Sequence, residues 1–448
     1  MDGNPDAPAV AAHELLLNAR AAGSPGDLRQ AVEDQLAAIP GAVSVRALQC
    51  FSPSPPTPEK RVGYVLAPNA QKVTFLDDDF GPMLSAGGPG PLAGSTEPAV
   101  PAGFRVPEGG LTFTKHQDGV WEATFGPLPP GAYRYAFQVD GVRVLDPVNT
   151  RISESNTMVW NLFAVPGSEL MDTRDVPHGA VASVFYYSAV LKTTRRMHIY
   201  TPPGYEAGNQ KYPVFYLLHG AQDTDDAWPS VGRACFILDN LLADKKIKPM
   251  IVVMPAGHQP GQAGMGGGAA RGAAGSAPAV NPFTTEFMTD MMPYVEKYYR
   301  AIPDRQHRAI AGLSMGGSQT LDIAFRYLEK FAYIGVFSSG STLGGGRRGA
   351  TAPAAGAAPA TAPATPAASP QNDFETVHKA DLDDAALKKG LKLIWLSTGV
   401  DDSLITNTRS TVDMLKKHGF QPVFQESPGA HSWFNWRNYL IEFAPQLF

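Results

Sequence analysis

The segment Gly312-Leu313-Ser314-Met315-Gly316-Gly317 constrains this chain more than any other. It lies between an apolar run, Arg308-Ala309-Ile310-Ala311, with the character of a buried strand, and residues 318–327, which read as a helix. Glycines two positions either side of a serine suit a sharp strand-to-helix turn, where larger side chains would collide with neighbouring backbone. Such a turn lifts the serine oxygen clear of a sheet. It also leaves the Met315 amide at a helix N-terminus, free to stabilise an oxyanion. The motif alone is a moderate signal; strand, turn and helix in succession make it a nucleophile elbow.

The elbow needs a sheet, and the pattern from about Asp172 onward supplies one. Residues 183–187 and 196–200 read as an opening hairpin, and 214–218 and 250–254 as apolar strands buried on both faces. A helix over 234–245 lies between those two strands, and another, 286–299, begins at Thr284-Thr285. After Ser314 come strands 333–337 and 392–396, a helix over 406–418, a last strand 421–426 and a closing helix 436–443. This alternation predicts an α/β-hydrolase, a three-layer αβα sandwich, over residues 166–448. Two segments rich in Gly, Ala and Pro, 257–280 and 344–371, cannot bury a core and read as flexible surface loops.

Upstream the period changes. Strands 61–66, 72–76, 119–125 and 132–139 stand at hairpin spacing, with turns at Asp118-Gly119, Pro129-Pro130-Gly131 and Asp140-Gly141. They predict a small β-sandwich over 56–165, with a Gly/Pro-rich loop insertion at 82–110. Trp121, Tyr133 and Tyr135 have the chemistry to stack on a sugar, but aromatics alternating along strands favour core packing. Residues 1–55 form a leader with helix-like pieces at 9–22 and 27–39, followed by a proline-rich linker at 52–58.

At 448 residues there is room for two or three domains of about 150 residues each. A net charge of -5 without a basic run argues against nucleic acid or an anionic membrane as partner. No apolar stretch reaches the roughly 18 residues of a membrane helix. The start, Met1-Asp2-Gly3-Asn4-Pro5, lacks the basic and apolar regions of a signal peptide. That leaves a cytoplasmic protein or one that is secreted or periplasmic after signal removal; the second is the expectation. The two cysteines, Cys50 and Cys235, are expected to be unpaired thiols.

A serine hydroxyl needs a histidine base oriented by a carboxylate, and on this fold they follow in the order serine, acid, histidine. Only His378, His418 and His431 follow Ser314. His418 closes a helix; His431 stands in a loop after the last strand, where the base belongs, and is the candidate. The acid should follow strand 392–396, where Asp402 is preferred and Asp401 competes as a turn cap. The second oxyanion donor should come from the loop after strand 214–218, as the Ala221 amide paired with that of Met315. His219 is expected to orient that loop. Asp223, Asp225 and Asp226 read as a solvated acidic loop with no metal-binding spacing. Gln222 and Trp433 are the expected substrate contacts, with Phe434 and Trp436 available beside Trp433 for an aromatic acyl pocket. The chemistry calls for no metal and no organic cofactor.

Two resemblances extend this reading. Ala67-Pro68-Asn69-Ala70, Gly119-Val120-Trp121, Pro129-Pro130-Gly131-Ala132-Tyr133-Arg134-Tyr135 and Val139-Asp140-Gly141 with Asp146-Pro147 make the upstream segment similar to the immunoglobulin-like domain that precedes some bacterial esterases, itself akin to family 48 carbohydrate-binding modules. From about Tyr187 the chain resembles carbohydrate esterase family one, which includes feruloyl and acetyl xylan esterases. The resemblance is carried by Tyr216-Leu217-Leu218-His219-Gly220, Asp239-Asn240-Leu241, the run from Met250 to His258, the run from Arg308 to Gly317, the run from Gly399 to Ile405, and Gly429-Ala430-His431. It implies Ser314 as nucleophile, Asp402 as acid, His431 as base, and a feruloylated or acetylated plant cell-wall polysaccharide as substrate, the feruloyl ester first. Departures are the two Gly/Ala/Pro loops and Ala221, where relatives often carry glycine. The rivals are an esterase of enterobactin-type siderophores, for which no basic cluster surrounds the motifs, a general carboxylesterase, and a non-catalytic carbohydrate-binding protein.

Overall fold

The computed structural model describes residues 61–67, 69–77, 111–117, 119–125, 128–147, 149–259, 280–341 and 371–448. The expected leader helices, the proline-rich linker, the 82–110 insertion and nearly all of both Gly/Ala/Pro loops lie outside these residues. So does Cys50; Cys235 is a free thiol.

The larger sheet is built of Ala180–Ser188 (β10), Thr193–Thr201 (β11), Val214–Leu218 (β12), Ile251–Pro255 (β13), Arg308–Leu313 (β14), Tyr333–Phe337 (β15), Leu393–Gly399 (β16) and Val423–Ser427 (β17). In space they run β10-β11-β13-β12-β14-β15-β16-β17. The opening hairpin is antiparallel and β11 pairs antiparallel with β13; every later pair is parallel. Strands β12, β13 and β14 are buried at every residue because helices cover both faces. Alternate residues feed separate cores. Val214, Tyr216 and Leu218 join Ile310 and Phe287 on one face, while Phe215 and Leu217 join Leu313, Trp395 and Phe443 on the other.

Three helix starts lie three or more residues from expectation. The helix before β14 begins at Pro282, where the Asn281 side chain accepts from the Phe283 amide and proline fits the first turn. It passes through a π-helical turn, Phe287–Met291, before Met292–Tyr298. Thr284 does not start the helix; its hydroxyl donates to Asp322 at 2.6 Å. The helix after the elbow, Met315–Arg326, starts directly after the serine. The closing helix, Trp433–Phe443, starts three residues earlier than its apolar pattern suggests, which draws Trp433 inward.

Upstream, two antiparallel sheets enclose one core. The first holds Arg61–Leu66 (β1), Val120–Phe125 (β5) and Thr114–Lys115 (β4). The second runs β3-β2-β6-β9-β8, from Leu111–Thr112 (β3) through Val73–Asp77 (β2), Gly131–Val139 (β6) and Val159–Val165 (β9) to Ile152–Glu154 (β8). Trp121, Tyr133 and Tyr135 are buried, and their polar tips donate to the Ala67 carbonyl, the Pro129 carbonyl and Asp146. They are packing residues and offer no stacking platform to a sugar. Phe434 of the closing helix completes this core, so the β region and the hydrolase region share a packed seam.

Candidate active site

Strand β14 delivers Ser314 to its end, and the chain turns there at φ 51°, ψ −115°. A non-glycine residue in such a conformation costs about 1–3 kcal/mol and persists only where its surroundings enforce it. The enforcement is steric. A Cβ at Gly312 would lie 2.4 Å from the Gly316 carbonyl, and one at Gly316 would lie 2.5 Å from the His219 carbonyl oxygen. Neither position admits a side chain. The Ser339 hydroxyl donates to the Ser314 carbonyl at 2.6 Å, and the Thr408 hydroxyl donates to the Ser339 carbonyl, fixing the turn from β15 and the helix after β16.

The His431 and Asp402 loops interlock beside it. Gly399 packs so closely on Gly429 that a Cβ would fall 2.1 Å from the Gly429 oxygen, and that same oxygen accepts from the Asp401 amide. Asp401 itself is exposed, while Asp402 is buried and approaches His431 Nδ1 at 3.0 and 3.1 Å. His431 Nε2 lies 2.9 Å from Ser314 Oγ. With Asp402 ionised, this network assigns the ring proton to Nδ1 and turns the Nε2 lone pair toward the hydroxyl. Burial works to raise the Asp402 carboxyl, but the hydrogen bond and charge of His431 and the Leu404 amide outweigh it and hold the group below its ordinary value. The Trp436 ring packs edge-on against His431 with centroids 5.0 Å apart.

The amides of Met315 and Ala221 donate to no acceptor among the described residues. Gly220 presses on the elbow: a Cβ there would stand 2.6 Å from Leu313 and 3.6 Å from Ser314 Cβ. A turn closes behind it, with the Asp223 amide donating to the Gly220 carbonyl. His219 is buried, accepts at Nε2 from the Gly257 amide at 2.8 Å and therefore donates from Nδ1 to the Gly220 carbonyl. Burial pushes its pKa down to about 4, so it serves the loop as a neutral ring.

Two expectations need correction. Trp433 does not line an acyl pocket: it is 2 % exposed and packs edge-on against Trp228 and Trp436 because its helix begins early. Gln222, by contrast, is exposed on the turn, where its backbone carbonyl accepts from the Asn156 amide. The acidic loop is not solvated. Asp223 and Asp225 are each 3 % exposed, the first paired with Arg134 at 2.6 Å, the second with Arg196 at 2.8 Å and His198 at 2.9 Å. Sequence reading missed these arginines and Arg195, which binds buried Glu286 at 3.0 Å. No local signal marks them, since the Arg134–Asp223 pair spans 89 residues.

A serine at a strained elbow with a histidine in reach, a buried carboxylate behind it and this strand order define the class: an α/β-hydrolase. The chain belongs to the esterase family whose model, described as "Putative esterase", matches residues 188–447. Among curated relatives, it is 29% identical over 349 residues to an endo-1,4-beta-xylanase/feruloyl esterase of Xylanibacter ruminicola, covering 76% of this chain and 42% of that one. It is 24% identical over 282 residues to endo-1,4-beta-xylanase Y of Acetivibrio thermocellus, covering 58% and 22%. The chain therefore spans less than half the length of either. Among solved structures, the enterobactin esterase FES of Shigella flexneri aligns over 86% of this chain and 92% of that one, with TM-score 0.53 and 16% identity. A CE1 ferulic acid esterase of Anaeromyces mucronatus aligns over 63% and 96%, with TM-score 0.48 and 23% identity. The FES likeness concerns the fold alone. Among the described residues, no helix is long and apolar enough to cross a membrane.

Proposed function

We propose that this chain is a serine esterase acting on plant cell-wall polysaccharide, with feruloyl esters of xylan as its first substrates and acetyl esters second. The observation that carries the reading is the hydrogen-bonded series Ser314 Oγ, His431 Nε2, His431 Nδ1 and Asp402 beneath a strained elbow. Ser314 Oγ attacks the ester carbonyl carbon while its proton passes to His431 Nε2. The carbonyl electron pair moves onto oxygen, where the Met315 and Ala221 amides stabilise it. Collapse expels the alcohol, which takes the proton from His431, and water releases the acyl group by the same steps in reverse.

The substrate class is supported by the Xylanibacter relative, whose printed name joins xylanase and feruloyl esterase. The domains we propose are a leader over 1–55, an immunoglobulin-like sandwich over 56–165 and the esterase over 166–448. A second reading, a siderophore esterase, draws on the FES likeness, which extends through the β region to 86% of the chain. Against it, Arg134, Arg195 and Arg196 near the site are already committed to carboxylates, which leaves them little to offer a polyanionic siderophore.

The test is a set of side-by-side initial rates on methyl ferulate, acetylated xylan, p-nitrophenyl acetate and a catecholate siderophore lactone, with Ser314→Ala as control. Turnover of ferulate well above the others, abolished in the variant, is the expected result. Preference for the siderophore lactone would overturn the substrate assignment, and full activity in Ser314→Ala would overturn the mechanism.

A further inference from the structure

The turn that offers the Ala221 amide is anchored mainly from outside the hydrolase region. Arg134, on β6, is fully buried and reaches across the seam to Asp223 Oδ1 at 2.6 Å. Its Nε donates to the Ser153 hydroxyl and its Nη2 to the Glu154 carbonyl, both at 3.0 Å, which ties the guanidinium to β8. From the same strand end, Ser155 makes an antiparallel bridge to Asp223. The Asn156 amide donates to the Gln222 carbonyl, and the Glu154 amide to Asp226 Oδ2 at 2.9 Å. The Arg134 Cζ also lies over the ring of Trp433, two residues beyond His431, 5.9 Å from its centroid. One guanidinium thus pairs with the oxyanion turn and stands over an aromatic ring of the helix that follows the base.

We propose that Arg134 is a positioning residue for ester hydrolysis: it fixes the Gly220–Asp223 turn so that the Ala221 amide meets the oxyanion that forms when Ser314 attacks. This rests on the esterase reading above. A buried carboxylate without its partner is costly, so Asp223 is held wherever the guanidinium fork holds it. The fork is planar with fixed donor directions, and a lysine ammonium cannot reproduce its simultaneous bonds to Ser153, Glu154 and Asp223. Displacing a catalytic donor by about 1 Å is enough to cost roughly 100-fold in rate. By this account the β-sandwich is part of the catalytic apparatus, whatever else it binds.

The experiment uses the full chain with Arg134→Lys, and p-nitrophenyl acetate as a probe too small to need a polysaccharide platform. Three quantities are read: kcat and KM, the inhibition constant of phenylboronic acid, which forms a tetrahedral adduct on the serine, and the cooperativity of thermal unfolding. The variant should unfold cooperatively and lose roughly 10- to 100-fold in kcat. KM should stay within about threefold, and boronate affinity should fall in step with kcat/KM. A cooperatively folded variant with wild-type kcat, or one whose kcat falls while boronate affinity is unchanged, overturns the proposal. Should Arg134→Lys fail to fold, Ser153→Ala removes one support of the guanidinium without uncovering a charge. The same pattern at roughly threefold to tenfold supports positioning, and wild-type kinetics overturn it. Ser314→Ala separates the two readings: an active Ser314→Ala protein sinks the esterase mechanism itself, whereas an inactive one beside a fully active Arg134→Lys sinks only the positioning role.

Discussion

The elbow and the Gly220–Asp226 loop flank the same serine but are held by different kinds of force. The elbow is set chiefly by missing side chains, at Gly312 where its own backbone folds back and at Gly316 where His219 and Leu218 press in, with the Ser339 hydroxyl on the Ser314 carbonyl as a further hold. The loop is set by charges that arrive from far away, Arg134 from β6 and Arg196 from β11, on carboxylates that burial has stripped of water. Steric closure can be read from one motif. Charge closure exists only after folding has brought distant residues together.

The acid side of the site offers the largest test of that contrast, because Asp402 and Asp401 are neighbours in sequence with opposite exposure. Asp402→Asn should lower kcat by about 10^4-fold, since the amide no longer selects the Nδ1–H tautomer or balances the imidazolium. Asp401→Asn, at an exposed turn, should change activity by less than about twofold, a surface-sized effect. Steady-state rates on one ester at pH 7 decide between them. A crippled Asp401→Asn protein would mean that the working arrangement differs from the one at rest.

The sequence carried the elbow, the succession of strands and helices along the chain and the loop position of His431, because each depends on local spacing or on chain order. Helix starts were less legible. Apolar periodicity marks where a helix faces its core, while Asn281 with Pro282 and the residue after Ser432 mark where it begins. That is why Trp433 falls outside the expected helix 436–443 and reads as a substrate contact rather than as core. Acidic residues in a loop read as solvated because nothing near Asp223 or Asp225 supplies a cation; their partners lie 89 and 29 residues away. Sequence reading found no basic cluster near the motifs, and the structure brings one together that is neutralised on the spot.

His219 sharpens the comparison through pH. In the unfolded chain it titrates near its ordinary 6.5, whereas burial lowers it to about 4 in the fold, with the Gly220 carbonyl and Asp225 opposing that shift less strongly. The unfolded state therefore binds more protons between those values, and stability falls as pH drops from about 6.5 to 4, by about 3 kcal/mol in all. His219→Gln keeps an acceptor for the Gly257 amide without a titrating ring. Its unfolding midpoint should decline less than that of the native protein between pH 7 and pH 4. Parallel curves would show that the ring does not carry the acid sensitivity of this loop.

Asp225 should respond in the same sense, over a lower pH range and more weakly. Burial raises its carboxyl, but the His198 and Arg196 hydrogen bonds and charges prevail and bring it to about 2, against 3.8 unfolded. A depressed carboxylate contributes stability that is complete above about pH 4 and lost as pH falls toward 2, about 2 kcal/mol in this case. Asp225→Asn removes the charge and keeps the shape. The gap between native and variant urea midpoints should be open at pH 6 and narrow steadily below pH 4. If the gap persists to pH 2.5, packing rather than charge anchors this end of the loop, and the division between a sterically built elbow and an electrostatically built loop fails there. If it closes, the Arg196 contact and the Arg134 contact are two instances of one device, each fixing the loop by pairing a carboxylate that cannot return to water.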